Sequence, residues 1–222
     1  MSRLIEPTGA VLFEENFSGD LANWHHEGTG TIEIVRPGVM RMDCTGGEQG
    51  GIGCHAFCRL DFPDHISIEY TLRVLENNGL IITFIAMRGL NGEDILTELP
   101  PRKGLFAEYR GHDARMRSYH VSVSRYNDAG EHTGVSNWNR NPGKHLMSQG
   151  PDLCKEVGPA YRVTIIKNGL TCQLGVDGVF AHGFTDLGEL PDEIPSTGKF
   201  GIRAIGSRVV AEISDVRVQA LR

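Results

Sequence analysis

The sequence predicts an all-β protein in which two antiparallel sheets pack face to face, and three observations carry that expectation. Glycine and proline supply 28 and 10 of the 222 residues, and this glycine share is nearly twice the usual one of about 7%, so the chain turns often. Several short segments alternate apolar and polar residues with a period of two, as strands with one buried face do. No stretch of twelve or more residues repeats its apolar positions with a 3.6 period. Ten or more strands without a helical layer must bury their apolar faces against one another, which means a sandwich or jelly roll and not an open sheet.

Ile66, Ile68, Tyr70, Leu72 and Val74 alternate with Ser67, Glu69, Thr71 and Arg73, a half-buried strand. Asn77-Asn78-Gly79 is a turn signal, and residues 80–87 beyond it are apolar on both faces. The pair reads as a hairpin whose second strand is central and covered on both sides. Residues 118–126 place Tyr119, Val121 and Val123 on one face and His120, Ser122 and Ser124 on the other, one side for the core and one for a wet groove. Residues 161–167, 171–176 and 179–184 form a meander, punctuated by Asn168-Gly169 and Asp177-Gly178, which suit type I′ turns. Residues 199–205 and 209–218 pair across Gly206-Ser207. Residues 97–104 and 137–159 resist strand assignment, and loops of that length in a compact domain tend to be functional.

Size and composition favour one domain over residues 1–222, with 40% hydrophobic and 23% charged residues. Twenty-two Lys and Arg against 28 Asp and Glu give a net charge of −6, so no global positive field exists to hold a nucleic acid. No apolar run is long enough for a membrane span. The opening MSRLIEPTGA has no signal-peptide pattern, so a cytoplasmic location is expected. Cys44, Cys54, Cys58, Cys154 and Cys172 are odd in number and scattered, which fits reduced, buried thiols. A homodimer is the commonest assembly for such a chain.

Phe13-Glu14-Glu15-Asn16-Phe17-Ser18-Gly19 followed by Trp24 resembles the first strands of concanavalin A-like lectin and glucanase domains. So do residues 161–169 with Val176-Asp177-Gly178, and residues 198–203 with Ser214-Asp215-Val216. The chain resembles more closely the YesU-like family of bacterial proteins, through Gly92-Glu93-Asp94, Glu108-Tyr109, His120-Val121-Ser122, Asn137 with a basic residue at 140, and Gly143-x-His145-Leu146. The resemblance covers most of the chain from Trp24 onward. It implies a concanavalin A-like jelly roll whose concave sheet is available for sugars, and an association with breakdown of plant-type polysaccharides. It supplies a substrate class and no mechanism.

The glucanases of this fold place their carboxylates with a Glu-x-Asp-x-x-Glu strand, about 5–5.5 Å apart for retention. No such pattern occurs: residues 66–74 offer only Glu69, and Glu93-Asp94-x-x-x-Glu98 has another spacing. Glu93 and Asp94 read equally well as a turn-capping pair. A lyase acting on uronate-containing oligosaccharides is the favoured reading. Abstracting a proton beside a carboxylate needs a proton acceptor, together with Arg, Asn or His groups that neutralise the developing charge.

His120 or Tyr109 is the expected acid or base, with His145 completing the catalytic set, Asn137 and Arg140 around the developing charge, and Glu108 and Trp138 positioning the sugar. The same residue types would serve elimination on a keto-sugar, or sugar binding alone as in a lectin-like module. A hydrolase would instead need two of Glu69, Glu93, Asp94 and Glu108 on the groove. Each candidate has a plainer reading. His120 could be hydrogen-bonded within a polar sheet face, His145 could start a strand, Arg140 and Lys144 could be solvated loop charges, and Trp138 could anchor a loop in the core; Trp24 is assigned to packing.

No cofactor is expected. Cys54-His55-x-x-Cys58 lacks a second ligand pair, and strand alternation points His55 away from both thiols. Glu15 and Asp215 sit where related sandwiches sometimes hold a structural Ca²⁺, which makes them the one candidate cation site.

Overall fold

Thirteen strands and one short helix make up the computed structural model, which describes residues 3–44 and 52–222. In chain order they are β1 (Val11–Glu15), β2 (Trp24–Gly28), β3 (Thr31–Arg36), β4 (Val39–Asp43), β5 (Cys54–Cys58), β6 (Ile66–Gly89), α1 (Phe106–Arg110), β7 (Met116–Val123), β8 (Val135–Asn141), β9 (His145–Pro151), β10 (Ala160–Asn168), β11 (Thr171–Val176), β12 (Val179–Thr185) and β13 (Lys199–Ala220).

Two long strands organise the rest. β6 and β13 run antiparallel along their whole lengths, from Lys199 opposite Met87 to Ala220 opposite Ile66. The first half of β6 pairs with β10, and the second half pairs with β7. One sheet is therefore β12-β11-β10-β6-β13-β4-β3, with β1 beside the end of β13. The other is β9-β8-β7-β6-β13-β5-β2. This is the two-sheet antiparallel sandwich that the alternation predicts.

The two hairpins expected at residues 77–79 and 206–207 are not formed. The chain runs straight through both segments, which lie opposite each other with a register shift between Gly206 and Val209. A Cβ on Gly79 would stand 1.9 Å from the Ile205 carbonyl oxygen, so glycine serves close backbone approach where the paired strands pass from one sheet to the other, and not a turn. The meander of β10, β11 and β12 forms as expected, with Asp177 and Gly178 at φ of 52° and 76°. Residues 137–159, expected as loop, contain most of β8 and all of β9.

The apolar faces of the two sheets meet in one core, where Trp24 packs against Phe17 and Phe200 with ring centroids 5.7 Å apart in each pair. All five cysteines are free thiols buried in the protein. A second apolar cluster lies on the opposite face of the β9–β2 sheet: Phe57, Ile82, Phe84, Met87, Ile95, Tyr109 and Met116. Burying a side chain of this size contributes about 1.5–3 kcal/mol, and that packing holds α1, since a five-residue helix is not stable alone. The Glu108 carboxylate caps its start, accepting from the backbone N–H of Leu105 at 2.8 Å and of Lys103 at 3.0 Å. No helix among the described residues is long and apolar enough to cross a membrane.

Candidate functional site

Strand register places the outward residues of the β9–β2 sheet in rows across the strands. One row runs Gln149, Asn137, Ser122, Ile82, Arg203, His55 and Glu27. The next runs Leu146, Asn139, His120, Phe84, Gly201, Phe57 and His25. The β9–β7 end of this face is rich in amides and hydroxyls, and the β6–β5 centre is aromatic. Gly201 permits this, because a Cβ there would lie 2.1 Å from the Phe57 ring.

α1 covers the aromatic half. Tyr109 stacks on His55 with centroids 4.4 Å apart, and the Arg203 guanidinium lies 4.2 Å from the centroid of Phe106. The Tyr109 hydroxyl donates to Glu27 Oε2 at 2.6 Å, and the same carboxylate accepts from Arg102 Nε at 2.9 Å. Tyr109 is 0% exposed, and burial followed by the Glu27 charge pushes its phenol above the ordinary range. The acid–base role expected for it does not fit this setting, since its hydroxyl is sealed beneath α1.

His120 is 2% exposed and faces outward beside the open half. Its ring lies against Phe84 and Phe106, at 5.2 and 5.6 Å. The Asn141 amide sits 2.8 Å from Nδ1 and 2.9 Å from Ser118 Oγ, so the tautomer of His120 follows from which end of that amide faces the ring. Burial first, then the charges of Lys144, Arg203 and Arg110, lower its pKa to about 3. Lys144 stands in the β8–β9 turn at φ 53°, and its own pKa is lowered by burial and by Arg110 and Arg125.

Charge is handled differently on the two outer faces. On the β12–β3 sheet, Glu212 binds Arg36 at 2.8 Å and Arg41 at 2.8 Å, and Glu69 binds Arg162 at 2.9 Å. Beside His120, neither Arg110 nor Lys144 pairs with a carboxylate among the described residues, and Arg110 Nε is buried without a hydrogen-bond partner. A cluster of unneutralised cations over a polar sheet face can hold an anion.

Asn137 faces outward, with its amide 2.9 Å from that of Gln149. In the orientation that satisfies both of its ends, its oxygen accepts from Arg125 Nη1 at 2.9 Å. Trp138 and Arg140 do not join it, because the two-residue period of β8 turns both into the core, in register with Val121 and Tyr119. Trp138 is 0% exposed and packs edge-on against Phe184, so it is no platform for a sugar. Arg140, 1% exposed, binds Asp186 at 2.9 Å, and Asp186 also accepts from the Tyr119 hydroxyl at 2.6 Å.

His145 lies opposite Arg140 in register, pairs with His112 at 6.4 Å and lines a separate cleft of about 400 Å³ with Leu146, Asp186 and Leu187. Glu108 is spent on capping α1 and does not reach the row. The four carboxylates a hydrolase would draw on are not brought together on the groove: Glu69 is on the other sheet, Glu93 accepts from Asn91, and Asp94 binds Lys199 at 2.9 Å.

At the candidate cation site, Glu15 accepts from the Phe17 N–H at 2.9 Å and Asp215 from Ser214 Oγ at 2.9 Å. Among the described residues no three His, Cys, Asp or Glu side chains gather as a metal site. Sequence reasoning missed Arg110, Arg125, Asn141 and Gln149. The alternation Asn137-x-Asn139-x-Asn141 is the signal that could have found the amides.

The sequence is 28% identical over 202 residues to the uncharacterized protein YesU of Bacillus subtilis (strain 168), covering 88% of this chain and 89% of that one. A solved Bacillus subtilis protein of unknown function with a galectin-like fold superposes with a TM-score of 0.86 at 24% identity, over 99% of this chain and 100% of that one. A laminarinase from Flavobacterium sp. UMI-01 superposes with a TM-score of 0.62 at 13% identity, over 95% and 100%. These likenesses agree with the concanavalin A-like sandwich built above. Residues 10–218 match the family described as a domain of unknown function, DUF1961, and the chain belongs to that family.

Proposed function

We propose that the protein binds oligosaccharides carrying an acidic sugar on the open half of the β9–β2 sheet and cleaves them by β-elimination, with His120 as proton acceptor. The observation that supports this most is the placement of a single imidazole on an amide-lined face, beside Arg110 and Lys144, which have no carboxylate partner among the described residues. The fold shared with a laminarinase and with a galectin-like protein supports a saccharide as the ligand.

The residues divide the work as follows. Arg110 and Lys144 hold the sugar carboxylate and stabilise the charge that moves onto it, while Asn137, Asn139 and Gln149 bind hydroxyls. Proton acceptance at His120 Nε2 requires Nδ1 to carry the other proton, with the Asn141 amide oxygen turned toward it. The C5 proton passes to Nε2, its electron pair forms the C4=C5 double bond, and the C4–O bond breaks. The imidazolium then supplies the proton that the leaving oxygen takes up. With its pKa near 3 in the empty site, His120 is in the base form at neutral pH. A bound carboxylate offsets the neighbouring cations and raises its proton affinity.

The test is ultraviolet absorbance of unsaturated product from a panel of uronate oligosaccharides, read beside release of reducing ends. Absorbance that appears with wild type and disappears in a folded His120→Gln variant is the expected result. Reducing ends without absorbance would overturn elimination. The sealed Tyr109 hydroxyl, which leaves His120 without the expected second acid, favours a sugar-binding module as the other reading; heat of binding with neither signal would establish it.

A further inference from the structure

We infer that the groove is blind and receives the end of an acidic oligosaccharide, with the terminal sugar's carboxylate against Arg110 and Lys144, and does not accept the interior of a polymer. This rests on reading the open half of the β9–β2 sheet as a saccharide site.

A polymer lying across the sheet would follow the rows over all seven strands. From β9 to β8 that path is clear of α1, with Gln149 exposed and Asn137 half-buried; at β7, Phe106 already lies against His120, with ring centroids 5.6 Å apart. At β13 and β5 it is filled, because Phe106 lies over Arg203 and Tyr109 over His55. This wall is fastened at both sides. The Tyr109 and Arg102 bonds to Glu27 tie it to β2, and the Gly143 N–H donates to the Arg110 carbonyl at 2.8 Å, joining it to the β8–β9 turn.

At about 4.8 Å between strands, the open stretch from β9 to β8 is roughly 5 Å across. That is room for one terminal sugar. Both cations flank this stretch where it meets the wall, Arg110 on the wall's last turn and Lys144 on the β8–β9 turn that Gly143 bonds to it. A carboxylate on an internal sugar could reach them only by driving the next sugar into Phe106. A carboxylate on a terminal sugar reaches them with the rest of the chain leaving past Asn137 and Gln149.

Calorimetry with uronate oligosaccharides of two to six residues from pectate, alginate and hyaluronan, and with the parent polymers, tests this. One protein bound per chain at every length, polymers included, is expected for each probe that binds. Lys144→Ala is expected to weaken binding by about tenfold or more, with no change for the same sugars after carboxyl reduction. Several proteins bound along one polymer chain would overturn the blind groove while leaving the saccharide site standing. Binding of neutral but not acidic probes, or of none, would remove the underlying reading and this inference with it. Phe106→Ala, checked for folding by its unfolding transition, is expected to admit chain interiors and raise the number bound per polymer; a folded variant that still binds one per chain would show that Phe106 is no wall.

Discussion

The phenol of Tyr109 donates to Glu27 Oε2 at 2.6 Å across the seam between α1 and β2. It is a structural bond, holding the helix on the sheet. Tyr109→Phe is therefore expected to lower the unfolding free energy by about 1–3 kcal/mol, measured by urea denaturation, while saccharide binding at 25 °C is kept. Lost activity at unchanged stability would return Tyr109 to the chemistry.

The acid sensitivity of the fold should report His120. Its unfolded form takes a proton below about pH 6.5, whereas the folded form waits until about 3, so the unfolded state binds more protons throughout that window. Stability then falls as pH drops from 6.5, by about 1.4 kcal/mol per pH unit at the steepest. His182, lowered to about 4 by burial, acts in the same direction. Urea midpoints between pH 7 and pH 4 should decline less steeply in His120→Gln than in wild type; equal slopes would mean the ring takes up its proton as readily in the folded protein as in the unfolded one.

Removing Arg140 leaves the Asp186 carboxylate buried with no cation, held by the Tyr119 hydroxyl and the Gly188 N–H alone. Arg140→Met should cost about 3–5 kcal/mol, and the double variant Arg140→Met with Asp186→Leu much less, because an unpaired buried charge is the main penalty. A denaturant series on the single and double variants decides this. A stable single variant that has lost sugar affinity would place Arg140 in the groove after all.

Gly201→Ala puts a methyl group 2.1 Å from the Phe57 ring. The ring must shift, and with it the stack of His55 and Tyr109. A cost of about 1–3 kcal/mol and a changed near-ultraviolet circular dichroism spectrum are expected. An unchanged spectrum would show that the aromatic half tolerates displacement.

Local chemistry explains what could be read from the chain and what could not. The β10–β12 meander is legible almost to the residue, because Asp177, Gly178 and Gly169 turn the chain through positive φ values; Asn168, expected to share the turn, is instead the last residue of β10. The same residue types mislead at residues 77–79, where an apparent turn is continuous strand inside β6, held extended by β13 beside it. β8 is hidden because the inward Arg140 breaks the apolar pattern that Trp138 begins, and its acceptance by Asp186 is a contact 46 positions away. At the site, alternation alone turns His120 outward with Ser122. The closure of half the face is not legible, since Phe106 and Tyr109 act as a wall only through Arg203, His55 and Glu27, all distant in sequence.

The lengthwise union of β6 with β13 joins residues more than a hundred positions apart, and both sheets depend on it. Neither sheet can close while β13 is still inside the ribosome, so during synthesis β6 waits with its Ile- and Phe-rich edge unpaired. Such delayed, long-range closure makes for slow folding and exposes the nascent chain to association with its neighbours. A chain shortened before residue 199 would keep the β10–β12 meander's own pairings and lose the strand on which both sheets are hung.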